Sequence, residues 1–204
     1  DTIVRQVGDI GRMVDEFSAF ARMPQPVIRP DDLVAVSRDA LVLQRNAHAE
    51  ITYETRFPES PAIAPCDRRL LGQALTNLLQ NAADAIAMRE RGPEEEPGGH
   101  ILMAVESGDD SVRIVVEDDG VGLPQGEDRD RLTEPYVTHK TKGTGLGLAI
   151  VKKIMEDHGG RLVLEDRAAG PGARAVLILP LKTEGGAGDL EPGAEQVQRI
   201  AHGA

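Results

Sequence analysis

From Asp67 to about Arg89 the residues Leu70, Leu71, Ala74, Leu78, Ala82 and Ile86 recur on one side of a helix. Beyond a polar Gly/Pro/Glu loop at 91–99 the hydrophobic period changes to that of a strand. Two alternating segments, Ile101 to Glu106 and Val112 to Glu117, flank Ser107-Gly108-Asp109-Asp110 and read as a hairpin. A helix with so broad an apolar side has to bury it against another element.

The flanking segments extend that pattern. Asp31-Asp32 opens a second helical stretch through Val36, Ala40 and Leu43. Ile51 to Phe57 reads as a strand, followed by a proline-rich stretch from Pro58 to Pro65. Residues 120–144 carry many Gly, Asp, Thr and Lys residues with little periodicity, and a loop of that length inside a compact domain is usually functional or mobile. From Gly145 a helix runs through Leu148, Ile150, Val151, Ile154 and Met155 to His158-Gly159-Gly160. Strands near Leu162 to Glu165 and Ala173 to Leu181 complete the domain, and a Gly- and Glu-rich stretch after Lys182 reads as a disordered tail. At the other end Ile3, Val7, Ile10, Val14, Phe17 and Ala21 alternate spacings of four and three, the seam of a bundle helix that Pro24 and Pro26 terminate. Such a stripe packs on its own domain or on a second chain.

Composition narrows the function. Aromatics make up 2% of the chain, so the core must be built from Leu, Ile, Val and Ala. The formal net charge of −11 argues against broad binding of nucleic acid or anionic membrane, while a local site could still hold a polyanion. One cysteine, Cys66, excludes an internal disulfide and a multi-Cys zinc site. No apolar run is long enough to span a bilayer, and the start at Asp1 suggests a piece of a longer protein.

Four segments carry chemistry. On the long helix, Asn77 and Asn81 are four apart and share a face, with Asp84 three residues further. An amide oxygen there suits a Mg²⁺ that already takes oxygens from phosphate and water, although a polar stripe is also the ordinary outer face of a helix. After a strand comes Glu117-Asp118-Asp119-Gly120-Val121-Gly122. A carboxylate at a strand end can accept from the amino group of adenine, and the same motif also suits a simple turn. Third, Glu134-Pro135-Tyr136-Val137-Thr138-His139-Lys140 places an aromatic and a Lys near a helix entrance, as a lid or as an ordinary loop. Fourth, Gly143-Thr144-Gly145-Leu146-Gly147-Leu148 exposes N–H groups at a helix start, a phosphate cradle. It is neither a dinucleotide-binding turn, since no strand precedes it, nor a Walker loop, since Gly-Lys-Ser/Thr is absent.

In that order the four segments resemble the ATP-binding catalytic domain of two-component sensor histidine kinases, within the superfamily that includes the gyrase, Hsp90 and MutL ATPases. The resemblance implies a two-layer α/β sandwich of the Bergerat type with a mixed sheet, over residues 24–182. It implies that Asn81 holds Mg²⁺, that Asp118 reads adenine, that Gly120 and Gly122 line the base pocket, and that Lys140 and the 143–147 glycines hold phosphates. Asn77 and Asp84 on the helix, Tyr136 and Thr138 in the lid at 123–142, and Thr144, Leu146 and Leu148 in the glycine run join the same expected ATP site. Residues 1–23 resemble the second helix of the dimerisation and phosphotransfer hairpin, and Asp15 to Arg22 is similar to the run in NtrY-type nitrogen-regulation sensor kinases. The implied partners are ATP, a second copy through the bundle helix, and a response-regulator receiver domain. The implied location is cytoplasmic for this piece, with a parent anchored in the inner membrane by upstream segments.

The pattern departs from the family in three respects. None of His48, His100, His139, His158 and His202 has the neighbours of a phosphoaccepting histidine, so the acceptor is expected outside this chain. Asn77 stands where the gyrase-like ATPases carry a water-activating Glu, and an amide is no general base. That disfavours a hydrolytic or serine-directed member; a non-catalytic nucleotide sensor remains the alternative from another class. In the lid, Tyr136 and Val137 replace two usual Phe residues, and His139 a usual Thr.

Overall fold

The computed structural model describes residues 11, 18, 23–90, 98–126, 129, 131–137 and 145–182. The bundle stripe, the proposed boundary at residue 23 and the tail at 183–204 lie outside or at the margin of those residues.

The elements given bounds within the described residues follow in the order β1 (Arg29–Asp32), α1 (Leu33–Ala47), β2 (Ile51–Arg56), β3 (Ile63–Cys66), α2 (Arg68–Met88), β4 (Gly99–Ser107), β5 (Ser111–Asp118), α3 (Gly147–Asp157), β6 (Arg161–Asp166) and β7 (Ala173–Pro180). The main sheet has the order β2-β4-β5-β7-β6, and β1 pairs with β3 in a separate two-stranded ribbon. β2 runs parallel to β4, while the other neighbours in the main sheet are antiparallel, so the sheet is mixed as the resemblance implied.

Two points differ from the sequence expectation. Asp31-Asp32 belongs to β1, and only Asp32 serves the helix, its carboxylate accepting the Val34 N–H at 3.1 Å as the cap of α1. The Pro58–Pro65 stretch contains β3. Both strands carry a proline, Pro30 opposite Pro65, which a two-stranded ribbon tolerates because each strand has an open edge. On α1, Leu43 is exposed and Leu41 and Gln44 are buried instead, which turns the inward stripe by about one residue.

Alternation along β4 and β5 separates the two faces of the sheet. Ile101, Met103, Val105, Val112, Ile114 and Val116 point into one core with the helices. Ala104 and Val115 join Val176 on the opposite face in a small separate cluster. α2 packs against both α1 and α3, so it is the central rod of the helical layer. Its inward side is fully apolar: Leu70, Leu71, Ala74, Leu75 and Leu79 have no exposed surface. Cys66 is buried at the end of β3, and burial pushes its thiol up to about 11, which leaves it an inert core residue. Among the described residues no helix is long and apolar enough to cross a membrane.

Candidate functional site

The polar residues of α2 are organised by what crosses its outer side. Near the middle of the helix the Asn77 amide Nδ2 lies 3.5 Å from the Gly147 carbonyl at the start of α3. A Cβ on Gly147 would stand 3.7 Å from Asn81 Nδ2 and 3.9 Å from its Oδ1. The start of α3 is thus brought onto the face that carries both amides. α3 begins after Leu146, which is wholly buried, and no side chain of a described residue caps it. A helix N-terminus presents its first N–H groups with the positive end of the helix dipole behind them. One turn further along α2, Gln80 Nε2 donates to Asp84 Oδ1 at 2.8 Å.

The acidic motif lies against the next turn of the same helix. The Val121 N–H donates to the Ala85 carbonyl at 3.2 Å. Gly120 is packed on α2 so closely that a Cβ would come within 2.5 Å of the Ala85 carbonyl carbon, a contact only glycine allows. Asn81 and Ala85 are separated by about 6 Å along the helix axis. α2 therefore holds the glycine run and the acidic motif side by side on one rod.

The two aspartates of this motif have divergent roles, which the pair Asp118-Asp119 alone does not reveal. Asp118 ends β5 on the helix side of the sheet and is 6% exposed. Its carboxylate accepts the Gly120 N–H at 2.9 Å and the N–H of Ala173. Desolvation by burial pushes its pKa up to about 6, against the lowering effect of those N–H groups; the nearby Asp119 adds to the rise and Arg167 opposes it. Asp119 acts as a clamp, accepting from the His100 N–H at 2.8 Å and from Arg89 Nη1 at 3.1 Å. Arg89 also donates to the Asp119 carbonyl at 2.8 Å, tying the end of α2 to the motif.

Sequence reasoning did not single out Gly172. Its φ is +131°, and a Cβ there would collide with the Asp118 carbonyl oxygen. The β6–β7 turn can close behind Asp118 only with glycine at this position. The signal was present in Gly170-Pro171-Gly172, but it is indistinguishable from any Gly/Pro turn. Gly122 packs against the same turn, 3.2 Å from the Gly172 carbonyl oxygen to a built Cβ.

The segment expected as a lid is described in part. Tyr136 is 54% exposed, adopts a φ of +68°, and donates its N–H to the Gly145 carbonyl at 3.1 Å. That bond joins the described stretch 131–137 to the start of the stretch 145–182. Leu148 lies in the first turn of α3 and packs partly against the core. Thr138, Lys140, Gly143 and Thr144 lie outside the described residues. A shallow cleft of about 660 Å³ on the opposite side of the sheet is lined by Phe57, Ala104, Glu106, Val115, Glu117 and Arg174, and of the motif residues named from the sequence it includes Glu117 alone.

Residues 66–183 match the family model described as histidine kinase-, DNA gyrase B- and HSP90-like ATPase. This chain belongs to that family. Within it the chain is an ATP-binding catalytic domain of the sensor histidine kinase kind. It is 31% identical to a mycobacterial sensor histidine kinase, MprB, covering 76% of this chain and 97% of that one with a TM-score of 0.64. It is also 52% identical over 187 residues to the nitrogen regulation protein NtrY of Azorhizobium caulinodans, covering 91% of this chain and 23% of the relative. The chain thus spans about a quarter of the length of that relative. A histidine kinase, ThkA, in complex with the response regulator protein TrrA shares the fold, with a TM-score of 0.70 at 22% identity, over 89% of this chain and 50% of that one.

Proposed function

We propose that this histidine kinase-type domain binds ATP along α2 and transfers the γ-phosphoryl group to a histidine on another segment. The observation that carries the reading is the meeting of the α3 N-terminus with Asn77 and Asn81 on one side of α2, one turn from the Asp118 loop. In this reading Asp118 accepts from the adenine amino group, and Gly120 and Gly122 leave room for the base. The N–H groups at Gly147 and Leu148 face the phosphates with Gly143, Thr144, Gly145 and Leu146, and Lys140 adds a positive charge. Tyr136 and Thr138 cover the nucleotide from the lid, and Asp84 borders it from α2.

Mg²⁺ fits this arrangement. No group of three or more His, Cys, Asp or Glu side chains among the described residues could hold a metal alone. The small cradle left by Gly147 beside the Asn81 amide suits a cation that the nucleotide brings with it. Bound there, Mg²⁺ would neutralise phosphate charge. Asn77 supports transfer rather than hydrolysis, because an amide does not deprotonate water, whereas an imidazole attacks with its own lone pair. The bond from the γ-phosphorus to the bridging oxygen breaks, a phosphorus–nitrogen bond forms and ADP leaves; the protein's part is alignment and charge neutralisation.

By the same resemblance, the full-length protein pairs through the bundle helix at residues 1–23 and passes the phosphoryl group to a response-regulator aspartate. It works on the cytoplasmic side of an inner membrane, in nitrogen regulation. The deciding experiment supplies a separate phosphoacceptor hairpin with labelled ATP and Mg²⁺. Label should appear on the hairpin histidine and be lost with Asn81→Ala, which should also abolish Mg²⁺-dependent ATP affinity. Tight ATP binding with no label transferred would replace this reading with a nucleotide-sensing one.

A further inference from the structure

His158 belongs to none of the four nucleotide motifs, yet it is 2% exposed and fully engaged. Its Nε2 accepts the backbone N–H of Asp67 at 2.9 Å, so that nitrogen carries a lone pair. The other ring nitrogen, Nδ1, lies 2.7 Å from the Ile154 carbonyl and must carry the proton. The ring therefore joins the last turn of α3 to the residue that starts α2. Asp67 is also more than a helix cap. Its Oδ1 accepts from the Arg69 and Leu70 N–H groups at 3.0 and 3.1 Å, while Oδ2 accepts from the Val27 N–H at 3.0 Å. Val27 lies in the segment 23–28 that leads into β1.

α3 is consequently held at both ends on α2. Its C-terminal end is joined to Asp67, and its N-terminus meets Asn77 and Asn81 further along. The two helices run antiparallel, and an eleven-residue helix about 16 Å long behaves as a lever. A shift at the His158 joint is transmitted to the end that carries the first N–H groups.

We propose that His158 and Asp67 are positioning residues that set the N-terminus of α3 for the nucleotide phosphates and make it follow the entering segment at Val27. This rests on the reading that the α3 N-terminus holds those phosphates.

The test uses the full 204-residue chain. Val27→Pro deletes the N–H donor while changing an exposed side chain. His158→Leu removes both ring bonds, and His158→Gln restores an acceptor for the Asp67 N–H. Backbone ¹⁵N shifts are followed at Gly147, Leu148 and Ala149, together with dissociation constants for ATP and for adenosine, which lacks phosphates. Val27→Pro and His158→Leu should move these amides and weaken ATP roughly threefold to tenfold, leaving adenosine affinity unchanged. His158→Gln should recover part of the loss, and Val27→Pro should add nothing in the His158→Leu background. The wild-type ring should show the Nδ1–H tautomer in long-range ¹H–¹⁵N spectra.

Unmoved amides with an unchanged ATP-to-adenosine ratio would show that His158 only fills the core and would overturn the proposal, as would an Nε2–H tautomer. Should His158→Leu fail to fold, Val27→Pro and His158→Gln carry the same test. Moved amides with the wild-type ATP-to-adenosine ratio would uphold the joint and refute the phosphate reading.

Discussion

Asp118 is placed where ionisation is resisted: at a strand end, under the helices, with the Gly120 and Ala173 N–H groups as its compensation. Its pKa is raised to about 6 from an ordinary 3.8. Between those values the folded protein holds a proton that the unfolded chain has released, so this carboxyl's contribution to stability falls as pH rises through that window and is constant above it. Base recognition has the opposite slope, because the ionised carboxylate is the stronger acceptor. Adenosine affinity should therefore fall by about an order of magnitude as pH drops from 7.5 to 5. Asp118→Asn should bind weakly with no such slope; a flat wild-type profile in calorimetry would remove Asp118 from the base contact. Gly120 gives a second prediction at this scale. Gly120→Ala forces a Cβ against the Ala85 carbonyl and should cost about 1–3 kcal/mol in urea unfolding. Of the candidate residues, Asn77, Asn81 and Asp118 stand out in the sequence through the ordered motifs of the resemblance, since each motif alone also suits an ordinary helix face or turn. Gly172, Arg89 and His158 do not, because each acts on a residue distant in sequence and is locally an ordinary turn glycine, helix-end arginine or helix-end histidine.

At the scale of elements, the long periodic segments could be read from sequence and the short ones could not. α2, β4 and β5 match their expected spans within two residues or so, since each has enough turns or alternations to display its period. β1 and β3 have four residues each and contain Pro30 and Pro65, and neither shows an alternation. What specifies them is pairing with each other, together with Asp32, which accepts from both Val34 and Ala62. α3 poses the contrary case, a helix whose start is set by burial. With no side-chain cap from its N-cap residue, its first turn is fixed by that residue, Leu146, inserted wholly into the core. Leu146→Ala should cost roughly 2–5 kcal/mol and weaken ATP more than adenosine. Equal weakening of both ligands would mean that Leu146 supports the domain without setting the start of α3.

For the whole molecule, the layered class came with the resemblance, but strand order could not be read from the residues, because nothing local says that β2 pairs with β4. That pair is parallel, with β3 and α2 lying in the connection between its strands. Ile51 finds Gly99 across that connection, whereas Ser107 meets Val112 across a tight turn. Closing the long connection costs chain entropy before any contact compensates for it, so the hairpin should form early and β2 join late. Ile114→Val should slow refolding, while Ile51→Val should mainly quicken unfolding; equal partitioning in stopped-flow chevrons would contradict this order. The helix that bears both amides lies inside the last loop to close. Nucleotide then has nothing to grip until the final step of assembly, and it should lengthen the lifetime of the finished domain without hastening its formation.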